Sequence, residues 1–295
     1  MLINIVSTIL VYGEGFMKIT FWKSWGFVVI LSGFLLWAGW AWGHRNGLLW
    51  SVPVVLCINY FLLIHSRWKI LPNTAQRPLE GSDGWNLTKC LQGLCAEAQI
   101  PAPKVVVIDL PTPQAFLMGR LSRFSKIYVT QGFLDRLDAK EREAIMATQV
   151  AALKMKLQFN FYVLGAFFDM LFWFLSRIDI CLAWIIGARR KRFRSFTLWL
   201  LWPALVVLQR ICLSPSDYYR IDAIAADLCG NREALCRAIW KLESSSFTQP
   251  LEELHPAWTH VFAVGPYPPR GPIGHLQPQP SAKRRIFELN GGFPV

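Results

Sequence analysis

The stretch EREAIMATQVAALKM, residues 141–155, decides how this chain folds. Asp138 stands three residues before Glu141, the spacing of a capping box, in which each side chain meets a free backbone N–H of the first helical turn. The helix that starts there offers Ile145, Met146, Val150, Leu153 and Met155 for packing. Its middle, Thr148-Gln149-Val150-Ala151-Ala152, holds no ionisable group, and no histidine lies anywhere in the stretch. Upstream, KVVVIDL (104–110) and KIYVT (126–130) read as short strands, with PTPQ and MGRLSR as turn signals between them. Before these, GWNLTKCLQGLCAEAQ (84–99) sets Trp85, Leu87, Leu91, Leu94 and Cys95 on one helical stripe. Downstream, SDYYRIDAIAADLCGNREALCRAIWKLE (216–243) reads as two helices parted at Gly230-Asn231. A Pro/Gly-rich loop follows at 265–281, then a last short helix in SAKRRIFEL. The residues around 141–155 therefore predict an α+β fold, mainly α-helical with a small β-sheet.

Apolar runs interrupt this soluble pattern twice. The 295 residues are 53% hydrophobic and include 14 Trp. SWGFVVILSGFLLWAGWAWG (24–43) and LLWSVPVVLCINYFLLI (48–64) each reach the length of about 17–25 residues that a membrane helix needs. Trp22, Trp25, Trp40, Trp42 and Trp50 cluster at their ends, where indole rings favour the interface. Lys18 and Lys23 precede the first run, Arg67 and Lys69 follow the second, and Arg45 alone lies between. The positive-inside rule then puts both ends of this hairpin in the cytoplasm. Residues 157–213 form a second apolar pair, interrupted by Asp169, Arg177, Asp179 and Pro203 and enclosing a basic loop of Arg189, Arg190, Lys191, Arg192 and Arg194. Two full crossings would put that loop outside, against the same rule. The uninterrupted apolar part after Arg194 is only about 13 residues, short of a crossing. The second hairpin thus reads as dipping into the membrane, with spanning as the alternative, and its basic loop as facing lipid headgroups. Charges inside apolar helices are functional candidates by default; Arg177 is expected to form a structural ion pair with an acid of a neighbouring helix.

The net charge of +12 belongs to membrane topology and anionic headgroups. No RNA- or DNA-binding module occurs, so no nucleic-acid partner is expected. Seven cysteines, an odd count without C-x-x-C, argue against a disulfide framework and fit a reducing compartment. Met17, preceded by Gly13-Glu14-Gly15, is a candidate translation start.

In order and spacing these elements resemble the HtpX-type membrane zinc metallopeptidases over essentially the whole chain. That family's Asn-Ala-Phe-Ala-x-Gly stretch appears as Gln114-Ala115-Phe116-Leu117-Met118-Gly119. Its Val-Thr-x-Gly-Leu-Leu appears as Val129-Thr130-Gln131-Gly132-Phe133-Leu134, and its Ser-Arg in the second apolar pair as Ser176-Arg177. The resemblance implies a helix bearing H-E-x-x-H, with two His ligands to Zn²⁺ and a Glu as general base. A third ligand, a Glu, comes from a later Arg-Glu-x-x-Ala-Asp setting. Here Thr148 and Ala152 stand at the His positions and Gln149 at the base. The later motif falls on Asp217-Tyr218-Tyr219-Arg220-Ile221-Asp222, so Tyr218 replaces the Glu ligand and Asp222 is retained. The family's His-Pro before the last helix appears as Gln279-Pro280. Thr is a poor zinc ligand, Ala is none, and Gln accepts no proton at neutral pH. The Lewis acid and the base are lost together, and the base alone typically contributes about 10²–10⁴-fold. His44, His65, His255, His260 and His275 have no i, i+4 spacing that would rebuild the site.

The resemblance thus implies a zincin-like metallopeptidase domain with an N-terminal transmembrane hairpin and a second apolar hairpin inserted in the domain. The segments are residues 1–69, 70–156, 157–213 and 214–295. No metal and no cofactor is expected, with Thr148, Gln149, Ala152, Tyr218 and Gln279 as degenerate positions. Gln114, Ala115, Phe116, Leu117, Met118, Gly119 and Arg120 lie where the family's substrate-binding edge strand would be, and an exposed edge can pair with an extended peptide. The expected function is a catalytically inactive binding, scaffolding or regulatory subunit of a membrane complex or of membrane-protein quality control. Its expected partners are the bilayer and another protein. The expected location is the bacterial cytoplasmic (inner) membrane, with the soluble domain facing the cytoplasm. The alternative is an active zinc-dependent endopeptidase with an atypical site.

Overall fold

The computed structural model describes residues 2–63, 75–79, 84–119, 124–186, 196–251, 254–268 and 277–292. Arg120 and the basic-loop residues Arg189, Arg190, Lys191, Arg192 and Arg194 lie outside them. The chain divides into two compact units, Met1–Lys69 and Ile70–Val295.

In the first unit, α1 (Leu2–Leu63) is helical except at Gly43 (φ −133°, ψ 16°) and His44 (φ 47°, ψ −124°). The chain folds back there, because Asn59 Nδ2 donates to Ser32 Oγ at 3.0 Å from one arm to the other. The arms touch most closely beside the turn. A Cβ on Gly47 would lie 1.9 Å from the Gly39 carbonyl oxygen, so only glycine fits. His44 takes a positive φ, uncommon for a residue with a Cβ, and its ring stands edge-on to Trp40 with centroids 5.7 Å apart. Ile30, Trp42, Trp50 and Leu56 are exposed, Trp42 to 95%. Trp25–Leu62 is long and apolar enough to cross a membrane.

The second unit is built on a four-stranded sheet. Its strands are β1 (Gln76–Pro78), β2 (Lys104–Ile108), β3 (Ala115–Met118) and β4 (Lys126–Thr130), in the order β1-β2-β4-β3. β2 runs parallel to β4, and the two edge strands are antiparallel to their neighbours. α2 (Leu87–Ala98) buries Leu87, Leu91, Leu94 and Cys95 of the predicted stripe and Ala98 besides; Trp85, also expected on the stripe, precedes the helix and is exposed. Thr130 caps α3 (Gln131–Arg136) by accepting from the Phe133 N–H.

The capping box of α4 (Ala139–Lys154) forms as its sequence predicts: Asp138 accepts from Glu141 N at 2.8 Å, and Glu141 accepts from Asp138 N at 3.1 Å. Glu141 is fully buried and pairs with Lys241 Nζ at 2.7 Å. Residues 144–153 of α4 are buried without a break. A helix enclosed on every side is the central helix of its domain, and α2, β3 and the helices over residues 157–186, 215–229 and 232–248 all pack on it.

α5 (Leu157–Ile186) and α6 (Phe196–Cys212) lie side by side. Asp179 accepts from Thr197 N at 3.1 Å in the first turn of α6, where helix N–H groups lack intrahelical partners. Residues 157–168 of α5 belong largely to the domain core. Its far half exposes Trp173, Phe174, Trp184 and Ile185, and α6 exposes Leu200, Val207 and Ile211. The acids inside α5 have partners: Asp179 the α6 terminus, and Asp169 the His255 Nδ1 at 3.1 Å. Arg177 departs from expectation. It is exposed, its guanidinium lies 5.0 Å over the Trp173 ring, and the carboxylate partner expected for it is not found among the described residues. Trp173 lies four residues before Arg177 on the same helix face, and a guanidinium over an indole ring is held by a cation–π attraction.

α7 (Pro215–Cys229) ends at Gly230, φ 61°, and Asn231 caps α8 (Arg232–Thr248) by accepting from Ala234 N. A 3₁₀ segment, Pro256–Val261, and α9 (Ala282–Leu289) complete the unit.

Candidate functional site

The packing of α7 on α4 brings together four of the positions singled out in the sequence. Thr148, Gln149, Ala152 and Tyr218 line one small void with Ile221, Arg285 and Phe161. Val261, Phe262 and Ala263 close its remaining side. The void measures about 10 Å³, room for about one water molecule.

Each polar side chain here is already engaged. Thr148 Oγ1 donates to Ile145 O at 2.7 Å and accepts from Gln149 Nε2 at 3.2 Å. Tyr218 is 3% exposed and its hydroxyl donates to His260 O at 3.0 Å. Burial, with the Asp217 charge adding to it, holds the Tyr218 phenol well above its ordinary pKa. Gln279 does not line the void, yet serves the same segment: its Nε2 donates to Thr259 O at 2.8 Å and to Phe262 O at 3.1 Å. Zinc does not fit this set. Its ligands must be deprotonated or neutral nitrogen, sulfur or carboxylate donors. Thr148 has spent its proton on a carbonyl, Ala152 has no donor atom, and Tyr218 is held protonated. Among the described residues no three His, Cys, Asp or Glu gather where a metal could sit.

Behind the void lies an ion pair that sequence reading half found. The retained Asp222 accepts from Arg285 Nε at 2.7 Å and from Nη2 at 2.5 Å. Both residues are 1% exposed. The third arm of the guanidinium, Nη1, donates to Ala263 O at 2.6 Å. Arg285 escaped notice in a run of three basic residues, but its spacing from Ala282 and Leu289 puts it on the one buried stripe of α9, and that spacing was a readable signal.

The residues 256–263 are held from several sides. His260 is fully buried with Nε2 2.8 Å from Phe161 O; a carbonyl only accepts, so Nε2 carries the proton. Burial pushes the His260 pKa down to about 4, and Nδ1 has no partner among the described residues. Trp258 lies against Gly165 of α5, where a Cβ would stand 2.3 Å from the indole ring. Ala263 N donates to Ala115 O at 3.0 Å, and Phe262 bridges Phe116 in antiparallel fashion.

This bridge bears on the edge strand expected to be exposed. β3 is indeed at the edge of the sheet, but Gln114, Ala115, Phe116 and Leu117 are buried and Met118 and Gly119 half-buried. Phe262 packs 4.7 Å from Phe116, whose other neighbour is Tyr128 at 4.9 Å in a stacked arrangement. Gln114 turns inward, its amide donating to Ser246 Oγ at 2.9 Å. The edge is covered because the chain's own residues 262 and 263 lie along it, which the local sequence of β3 does not encode.

An enclosed central helix, a small sheet with antiparallel edge strands and apolar helix pairs make a Ste24p-like fold. Superposition on the crystal structure of S. mikatae Ste24p covers 93% of this chain and 66% of that one, with TM-score 0.51 and 17% identity. In sequence the chain has homologues among proteins named Protease HtpX homolog. That of Thermococcus sibiricus is 27% identical over 270 residues, 89% of this chain and 92% of the relative. That of Pelotomaculum thermopropionicum is 26% identical over 278 residues, 91% and 97% of the two chains. That of Pyrococcus furiosus is 25% identical over 297 residues, 92% and 96%. No family model matches.

Proposed function

We propose that this chain is a non-catalytic relative of the HtpX-like peptidases, acting in the cytoplasmic membrane as a binding, scaffolding or regulatory subunit. The observation that carries the reading is the engagement of Thr148, Ala152 and Tyr218. The positions that the resemblance assigns to three zinc ligands carry a hydroxyl bonded to its own helix, a methyl group and a phenol bonded to a carbonyl. Gln149, in place of the base, is 3% exposed and bonded to Thr148. No proton acceptor stands where water would be activated.

What persists is a frame with the means to bind. The α1 hairpin and the exposed apolar faces of α5 and α6 suit a bilayer. With residues 157–168 in the domain core, about 18 residues of α5 remain, about 27 Å of helix, at the lower end of what a crossing needs. A hairpin that dips into one leaflet and returns keeps its basic loop at anionic headgroups on the cytoplasmic side.

The test is purification of the full chain in mild detergent, with zinc analysis, cleavage of an unfolded protein substrate, and identification of co-purifying proteins. The expected result is no zinc, no cleavage and a near-stoichiometric protein partner. One bound zinc per chain together with cleavage would overturn the reading in favour of a peptidase with an atypical site.

A further inference from the structure

We propose that Arg177 and Trp173, on the outer face of α5, form a site for the phosphodiester of a membrane phospholipid. The proposal rests on the reading above that the apolar faces of α5 and α6 meet the bilayer. It deepens that reading by naming the lipid group that one side chain takes.

Helix geometry makes the face. Trp173, Arg177, Ile180 and Trp184 follow at i, i+4, i+7 and i+11 and so form one stripe. All four are exposed, Trp173 to 58% and Trp184 to 85%. The acids of the same helix are turned away from it. Asp169 and Asp179 are buried and engaged, with His255 and with the first turn of α6. Arg177 is thus the only exposed charge over residues 173–185.

This charge is held but not satisfied. Among the described residues its guanidinium meets the Trp173 ring, 5.0 Å from the centroid, and no hydrogen-bond acceptor. A ring face attracts a cation but supplies no acceptor oxygen, so the five N–H donors of the guanidinium still need one. The neighbouring Ser176 hydroxyl does not compete, because it donates to Trp173 O at 2.7 Å. A guanidinium facing hydrocarbon is costly. A phosphodiester offers it the opposite charge and two oxygens spaced for its planar fork.

The position suits a headgroup. Helical side chains lean toward the helix N-terminus, and the ring contact holds the guanidinium at the level of residue 173, one turn nearer the domain. Trp173 lies five residues beyond the segment 157–168 held in the domain core, about 7.5 Å along the axis. The headgroup layer is about 5–7 Å thick on each side of the hydrocarbon, and indole rings favour that layer. The charge is therefore drawn back to the depth where phosphates lie, as a snorkelling arginine is. The bulk of the face argues for lipid and against a partner helix. Trp173, Phe174, Trp184 and Ile185 project from it, whereas helices in membranes approach one another on small residues.

The experiment uses the full chain in mild detergent with dioleoylphosphatidylglycerol as the probe and dioleoylglycerol, which lacks the phosphate, as the control. Retained lipids are counted by native mass spectrometry. Arg177→Gln should retain one phospholipid fewer than the wild-type chain, with that binding step weakened at least tenfold. Arg177→Lys keeps the charge without the fork and should fall between them. Trp173→Leu should weaken the same step about two- to fivefold. Lys89→Gln, which removes an exposed charge from α2, should match wild type. Equal phospholipid counts in wild type and Arg177→Gln overturn the proposal, as does an equal loss of dioleoylglycerol. A protein that co-purifies with wild type and not with Arg177→Gln overturns it in favour of a partner's carboxylate.

The bilayer reading is tested separately through Cys181, an exposed cysteine one turn beyond Arg177. In phosphatidylglycerol vesicles it should resist a water-soluble maleimide that modifies it in the unfolded chain. Free modification would overturn both the bilayer reading and the site. Protection with unchanged lipid counts would overturn the Arg177 site alone.

Discussion

Replacing Asp222 by Ala tests the ion pair that organises the far side of the site. Arg285 is 1% exposed and gives two of its three hydrogen-bonding arms to the Asp222 carboxylate. Without that carboxylate a guanidinium remains in a place that water does not reach, and only the Ala263 carbonyl still accepts from it. Removing one partner of a buried pair costs about 3–5 kcal/mol, because the surviving charge is uncompensated. In a domain of this size each kcal/mol moves Tm by about 2–4 °C, so Asp222→Ala should lower Tm by about 6–20 °C. The assay is thermal unfolding of the full chain in mild detergent, followed by far-UV circular dichroism. Replacing both charges, Asp222→Leu/Arg285→Met, removes the unpaired ion as well as the pair and should recover more than half of the loss. A single-variant shift below about 2 °C, or a double variant no better than the single, would refute the claim that buried-charge compensation is what Asp222 supplies.

Other expectations follow from the same packing. The pKa of His260 falls from 6.5 to about 4 on burial, so between these values the unfolded chain binds more protons. The stabilisation from keeping this ring neutral is complete above pH 6.5 and is lost as pH falls toward 4, by roughly 3 kcal/mol in all; Tm measured from pH 7.5 down to 4 should drop less steeply in His260→Gln. Gly165→Ala sets a Cβ 2.3 Å from the Trp258 ring and should destabilise by about 1–3 kcal/mol, although alanine is the better helix former; an unchanged unfolding midpoint would mean that Trp258 can shift freely. In the first unit, Gly47→Leu should part the two arms of α1, read as loss of the disulfide between cysteines placed at Ser32 and Asn59; undiminished crosslinking would show that the arms do not depend on close approach at Gly39 and Gly47.

The elements were legible in the sequence where a local rule sufficed. The Asp138–Glu141 capping box, the Gly230-Asn231 break and the stripe of α2 from Leu87 to Cys95 each depend on residues at most four apart along a turn, and each stands where its pattern puts it; Trp85, which precedes the helix, does not. The gathering of Thr148, Gln149, Ala152 and Tyr218 came from a motif resemblance that supplied the long-range pairing of α4 with α7. Periodicity carries no such information. The covering of β3 was illegible for the same reason. β3 is apolar and short, which suits an exposed binding edge as well as a buried one, and only the position of Phe262 and Ala263 distinguishes them. Arg177 differs: a charge in an apolar helix suggests an acid partner, whereas the ring of Trp173, four residues earlier on the same face, is the contact it makes.

The positions that the resemblance assigns to the metal site divide into two kinds. Thr148, Gln149 and Ala152 make the centre neutral, which removes the penalty of burying charge without a metal. Tyr218 and Gln279 do more, since each places a donor against a carbonyl of the residues that close the void. Two side chains that meet neighbouring carbonyls of one segment act as a set. An acidic group at the first of these positions would conflict with the present structure. Tyr218→Glu would turn a carboxylate toward the oxygen of His260 that the phenol now serves, two acceptors facing each other with no proton between them. In the structure as it stands, Tyr218 and Gln279 hold residues 256–263 through the carbonyls of Thr259, His260 and Phe262.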